Sequence, residues 1–193
     1  NVVIARTMEL VDFIHRKNLL TKQECEEIIN ILEANDKYLF EGYVGGGINH
    51  DVKESLDFNI GQENDSTVKR LYGDKLDNII DKMIDEMYRY MDKFPIFLNT
   101  LVEVDGYNIQ RYLPNQGFKA WHYESTEEKI RLFVWMVYLN DVEDGGTEFM
   151  FQKHIEPAEQ GKLLFFPADW THTHRGQVSH TQSKYILTGW ISL

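Results

Sequence analysis

One cysteine, Cys25, stands in 193 residues. That excludes an intrachain disulfide framework and a cysteine-based zinc site, and predicts a reducing, cytoplasmic location. Positive charge is also short: 20 Lys and Arg against 31 Asp and Glu give a net charge of -11. A surface that tracks a phosphate backbone needs clustered Lys and Arg, so a nucleic-acid partner is not expected. The longest apolar runs, Leu132–Leu139 and Leu163–Phe166, are too short to span a bilayer, and no membrane partner is expected. Internal repeats, charged tails and low-complexity linkers are missing as well. No signal-peptide pattern is visible, and the first residue is Asn1 rather than Met, which predicts that a native leader has been removed. What is present is 42% hydrophobic and 26% charged residues, the composition of a packed core. The length suits a single domain spanning 1–193.

The texture of the chain changes near residue 95, separating helical support and entrance loops (1–95) from a β-rich core (96–193). Thr21 followed by Glu24 has the spacing of a capping box, and Cys25, Ile28, Ile29 and Leu32 recur behind it at helical intervals. A longer helix is predicted from about Thr67 to Lys93. Its apolar stripe includes Val68, Leu71, Tyr72, Leu76, Ile79, Ile80, Met83, Ile84, Met87 and Met91, with Asp65 and Ser66 able to cap it and Pro95 closing it. The stretch between them, including Gly45-Gly46-Gly47, reads as turns and short strands. That triple glycine lacks the Lys-Ser/Thr of a phosphate loop.

The second half reads as antiparallel β. Leu101–Val104 and Tyr107–Tyr112 flank Asp105-Gly106, a hairpin signal. Further strands are expected at Phe118–Tyr123, Lys129–Leu139, Thr147–Phe151, Lys162–Phe166, Thr171–Arg175 and Lys184–Ile191, separated by Gly-, Asn- and Pro-containing turns. About eight strands without an intervening helix suggest a sandwich or jelly roll, with the long helix covering one outer face.

Seven histidines are present. His15 and His50 are expected at the surface, and His154 and His180 in exposed turns. His122 differs because Glu124 follows it at i+2, and alternate residues of a strand share a face. Imidazole and carboxylate then project together as a chelating pair. A third ligand comes from His172 or His174. Two histidines and one carboxylate on one face, with other positions open, is the donor set of non-haem Fe(II) oxygenases and also suits catalytic zinc. The bland alternative is a His–Glu hydrogen bond at a barrel mouth. Lys184 starts an otherwise apolar strand and shares a face with Ile186, Thr188 and Trp190. A cation pointing into a barrel needs a partner, either an internal carboxylate or the carboxylate of a small acidic ligand.

Three blocks, Tyr107–Tyr112 with Gly117–Glu124, Tyr138–Asp141 with Gly145–Phe149, and Gly161–Pro167 with His174-Arg175-Gly176 and Lys184–Trp190, together resemble the 2-oxoglutarate/Fe(II) dioxygenases of the prolyl 4-hydroxylase type. The resemblance covers about residues 100–193. It implies an α+β fold: a double-stranded β-helix (jelly roll) core with N-terminal helices packed on one sheet face. It implies Fe(II) held by His122, Glu124 and His174, with 2-oxoglutarate and O2 as co-substrates and ascorbate as a further cofactor. His174 is preferred to His172 because it precedes Arg-Gly and lies ten residues before the basic residue. Lys184 matches the group that pairs with the distal carboxylate of 2-oxoglutarate. Tyr112 and Tyr138 match tyrosines lining the co-substrate pocket, and Thr188 and Trp190 face that pocket.

The activity implied is hydroxylation, of a prolyl residue in a peptide or protein, with release of succinate and CO2. Phe118, Trp135, Phe165, Phe166 and Trp190 are expected as apolar pocket walls, and Tyr38–Asp57 and Thr126–Glu128 as the entrance rim. One departure stands out: the family pattern has His-x-Asp where this chain has His-x-Glu. Two other readings of the same residues are a zinc-dependent hydrolase and a non-catalytic jelly-roll binding module. The absence of a His-Glu-x-x-His motif counts against a protease.

Overall fold

A computed structural model describes residues 12–61, 65–127 and 130–193. Helix α1 (Lys22–Glu33) starts where the sequence places it. The Thr21 hydroxyl accepts from the Glu24 amide, and the Glu24 carboxylate accepts from the Thr21 amide, so two N-terminal donors are satisfied reciprocally. Cys25, Ile28 and Leu32 are buried on one face. The long helix expected from Thr67 to Lys93 is instead two, α2 (Asp65–Tyr72) and α3 (Lys75–Met91). Gly73 breaks it: its φ is +60°, and its amide donates to the Lys69 carbonyl at 2.9 Å, a left-handed C-cap that glycine adopts without steric cost. The apolar stripe runs on across the break, through Val68 and Tyr72 to Leu76, Ile79, Met83 and Met87.

The strands form two main antiparallel sheets among the described residues. The larger has seven strands: β1 (His15–Asn18), β10 (Lys162–Pro167), β7 (Arg131–Tyr138), β12 (Lys184–Ser192), β5 (Glu103–Tyr112), β4 (Leu56–Ile60) and β2 (Phe40–Glu41), adjacent in that order. The smaller has three, β11 (His174–Gly176), β8 (Val142–Phe149) and β9 (His154–Ala158). A two-stranded ribbon joins β3 (Lys53–Glu54) to β6 (Gly117–Phe118). This is an α+β jelly-roll arrangement with the helices on one face of the large sheet. β1, β2 and β4 come from the first half of the chain, so the large sheet crosses the division near residue 95.

Strand alternation sorts side chains into two cores. Phe133, Trp135, Val137, Leu163, Phe165 and Leu187 join the helices in one cluster. Val134, Met136, Tyr138, Leu164, Phe166 and Ile186 join Tyr112, Phe149 and the partly buried Trp190 in the other, between the sheets. Trp135 and Phe165, expected as pocket walls, therefore lie on the opposite side of the sheet from the pocket. Burying each large apolar side chain contributes roughly 1.5–3 kcal/mol, so the helices cover an apolar face the sheet could not leave exposed.

Three other local expectations change. Asp105-Gly106 is no hairpin: β5 continues through it, with a β-bulge against β12 between the Val104–Ile191 and Tyr107–Gly189 partners. β9 was not legible because it carries a charge and Pro157, but it lies at a sheet edge, where proline is tolerated. His15 is only 14% exposed at its side chain, with Nε2 at 3.1 Å from Glu86. The start of the strand expected at Lys129, and Glu128 of the entrance rim, lie outside the described residues. No helix among the described residues is long and apolar enough to cross a membrane.

Candidate metal and co-substrate site

A cavity of about 980 Å³ opens into the jelly roll, lined by His122, Glu124, His174, Lys184, Tyr112, Thr188 and Trp190 among others. His122 lies just beyond β6, in irregular backbone rather than in the strand expected over Phe118–Tyr123, and is tied to the small sheet by an isolated bridge to His174. Glu124 is fixed by its amide, which donates to the Ala168 carbonyl at 2.9 Å. His174 opens β11. Potential ligand atoms of His122, Glu124 and His174 all lie within 4.8 Å of one another.

His172 is not part of this group. The strand expected over Thr171–Arg175 begins with a 3-10 turn (Trp170–His172), which aims His172 elsewhere: its Nε2 lies 2.8 Å from the Asp12 carbonyl. It is buried as a structural histidine.

The donor chemistry fits a divalent ion. His122 Nδ1 is 2.9 Å from the Ala120 carbonyl, and His174 Nδ1 is 2.8 Å from the His172 carbonyl. A carbonyl only accepts, so each Nδ1 carries a proton and leaves Nε2 as the atom available to a metal. Burial, with the neighbouring His122, pushes the His174 imidazolium down to about 4. Burial would raise the Glu124 carboxyl, but the hydrogen bond and charge of His122, with His174 and Arg131, bring it down to about 2. Neutral imidazole and ionised carboxylate are the states that bind metal. The Phe118 ring lies parallel to His122 at 3.6 Å between centroids.

Lys184 is 4% exposed. Its ammonium donates to the Gln177 carbonyl at 3.0 Å and sits 5.1 Å from the Tyr112 ring centroid. Among the described residues no carboxylate forms an ion pair with it. Burial pulls its pKa down to about 8, with Asp144 acting weakly in the other direction.

The Tyr112 hydroxyl donates to Gln110 at 2.7 Å, and Thr188 Oγ1 to the Trp135 carbonyl at 3.0 Å. Tyr138 stands one layer behind the wall rather than on it: its hydroxyl lies 2.6 Å from Thr147 Oγ1, and Thr147 lines the cavity. Burial raises both phenols, so both are neutral. At the rim, Phe40, Tyr43 and Thr126 line the cavity, on the segments expected there. Phe166 packs against His174 with ring centroids 5.0 Å apart.

Two features of the site carried no sequence signal. Arg131 bonds Glu124, and a buried Lys53–Asp57 pair at 2.7 Å lines the cavity. Both pairs are near in the sequence, four and seven residues apart, but outside a helix such a spacing does not say that two side chains turn to face each other.

A jelly roll holding two histidines and a carboxylate at its open end, with further positions free, defines a non-haem metal-dependent oxygenase. Residues 107–192 match the 2OG-Fe(II) oxygenase superfamily. The matched stretch is the β-rich part of the chain that carries His122, Glu124, His174 and Lys184. The fold of the chain is similar to that of solved prolyl hydroxylases. The viral collagen prolyl hydroxylase of Paramecium Bursaria Chlorella virus-1 is 19% identical, with a TM-score of 0.66 over 93% of this chain and 95% of that one. A Pseudomonas putida prolyl-4-hydroxylase is 15% identical, with a TM-score of 0.68 over 93% and 92%. A Trichoplax adhaerens prolyl hydroxylase, solved with a hypoxia inducible factor peptide fragment, is 13% identical, with a TM-score of 0.75 over 94% and 84%. No curated protein sequence matches the chain.

Proposed function

We propose that the protein hydroxylates a prolyl residue in a peptide or protein, with His122, Glu124 and His174 as the iron ligands. The observation that carries the assignment of the co-substrate site is Lys184, a buried cation in the metal-site cavity without a carboxylate partner among the described residues. An unpaired buried charge is unfavourable, and the distal carboxylate of 2-oxoglutarate supplies the missing counter-charge. Tyr112 and Thr188 form the wall beside it, and Tyr138 holds Thr147 in place from behind. Trp190, Phe118 and Met136 give the cavity apolar surface that excludes water, while the rim residues Phe40 and Tyr43 offer aromatic contacts to a peptide. Iron bound by the triad supplies the O2 chemistry that couples decarboxylation of 2-oxoglutarate to hydroxylation. The prolyl substrate is favoured by the fold shared with prolyl hydroxylases.

The test is turnover on a peptide library with Fe(II) and 2-oxoglutarate. Proline-containing peptides are expected to gain one oxygen atom, with matching succinate, and His174→Ala to abolish both. Turnover restricted to peptides lacking proline would refute the prolyl assignment.

A further inference from the structure

Glu124 has one methylene more than the aspartate of the family pattern, roughly 1.5 Å of extra reach. Its two carboxylate oxygens face different partners. Oε1 lies 3.3 Å from His122 Nε2, where the candidate ligand atoms gather. Oε2 accepts a hydrogen bond from Arg131 Nη1 at 3.0 Å, and the same nitrogen donates to the Glu124 main-chain carbonyl at 3.2 Å. Arg131 is the first residue of β7 and is itself held. Its guanidinium lies 3.9 Å above the Trp190 ring, on the strand paired with β7. Both charged side chains are largely buried, 21% and 17% exposed.

We infer that Arg131 is a positioning residue that restrains Glu124 to one-oxygen coordination of the metal. An octahedral ion with three protein ligands keeps three positions. Those positions would serve a chelating co-substrate and O2. A carboxylate binding through both oxygens would occupy one of those positions. Glutamate has an additional rotatable bond and can swing into that mode. With Oε2 tied to a guanidinium that is stacked on Trp190, only Oε1 is left to turn inward. Arg131 and Trp190 both line the cavity, so the group that fixes the ligand is also part of the substrate wall.

The inference rests on the ligand set proposed above, and Co(II) in place of iron tests the two separately. Co(II) is titrated into wild type, Arg131→Met, Arg131→Lys and His174→Ala, following affinity by calorimetry and geometry by visible absorption. Circular dichroism checks the fold. The Met variant keeps the stem over Trp190 but no donor. It is expected to bind Co(II) about 10–100-fold more weakly, the usual loss when a group orienting a ligand is removed, and with an altered absorption spectrum. The Lys variant, a point charge in place of a planar fork, is expected to fall between. A folded Met variant with wild-type affinity and spectrum overturns the inference while leaving the ligand set standing. If the Met variant does not fold, a Lys variant indistinguishable from wild type overturns it instead. Wild-type binding by His174→Ala overturns the ligand set and the inference together.

Discussion

His122 and His174 exchange both of their main-chain hydrogen bonds: the His122 amide donates to the His174 carbonyl at 3.0 Å, and the His174 amide to the His122 carbonyl at 2.9 Å. Two residues 52 positions apart in the numbering are thus clamped as directly opposed partners of an antiparallel pair. The clamp is made by backbone alone, so it survives loss of either imidazole. His174→Ala is expected to lose metal binding while keeping its circular dichroism.

His172→Ala is expected to do the reverse. It deletes a buried ring bonded to the Asp12 carbonyl and beside Thr171, which should cost about 1–3 kcal/mol by leaving a buried acceptor unpaired. Metal affinity should be unchanged, and denaturant unfolding and metal titration together separate the two histidines.

Lys184 gives a pH signature. With its pKa lowered to about 8, it is charged below that pH and neutral above it, so affinity for 2-oxoglutarate should fall as pH rises through about 8. Arginine stays charged throughout, so Lys184→Arg should flatten that profile if it retains binding; calorimetry between pH 6.5 and about 9 would show it.

The same lysine opposes folding. Its native pKa lies below its unfolded value, so the penalty of burying the charge is fully present below about pH 8 and fades as pH rises towards 10.5, the unfolded state binding more protons over that interval. Lys184→Met is expected to abolish 2-oxoglutarate binding at neutral pH without lowering Tm. A large drop in Tm would mean that the charge is structural.

On the helical side, Met83 is fully buried against the large sheet. Met83→Ala should cost about 2–5 kcal/mol yet leave metal affinity intact, because the helix packs on the face of the sheet away from the cavity. Chemical denaturation and a Co(II) titration on the same variant check both halves of that statement.

The parts legible in the sequence were those where local pattern and tertiary role coincide. Thr21 and Glu24 announce α1, and the alternation from Lys184 to Trp190 places those side chains on the inner face of β12, where they line one cavity. His122, Glu124 and His174 were legible through residue type and spacing, although the strands expected to present them are largely irregular backbone. Asp105-Gly106 misled because turn chemistry is a local preference: pairing with β12 on either side of it overrides the turn and leaves only a bulge. Arg131 and the Lys53–Asp57 pair were silent because their partners, seven and four residues away, sit in non-helical chain, where no periodicity tells which near neighbours face each other.

The alternation along β7 and β12 has a practical corollary for redesign. Positions 134, 136 and 186 can be varied to reshape the reaction chamber while 133, 135, 137 and 187 keep their grip on the helices. The two sets interleave within single strands, so a short combinatorial cassette covers each strand. Libraries at the even positions should keep folded clones where replacements stay apolar and near the original volume, because those side chains also fill the core between the sheets, and a scan of the odd ones should map the foldedness of the protein with little effect on its chemistry.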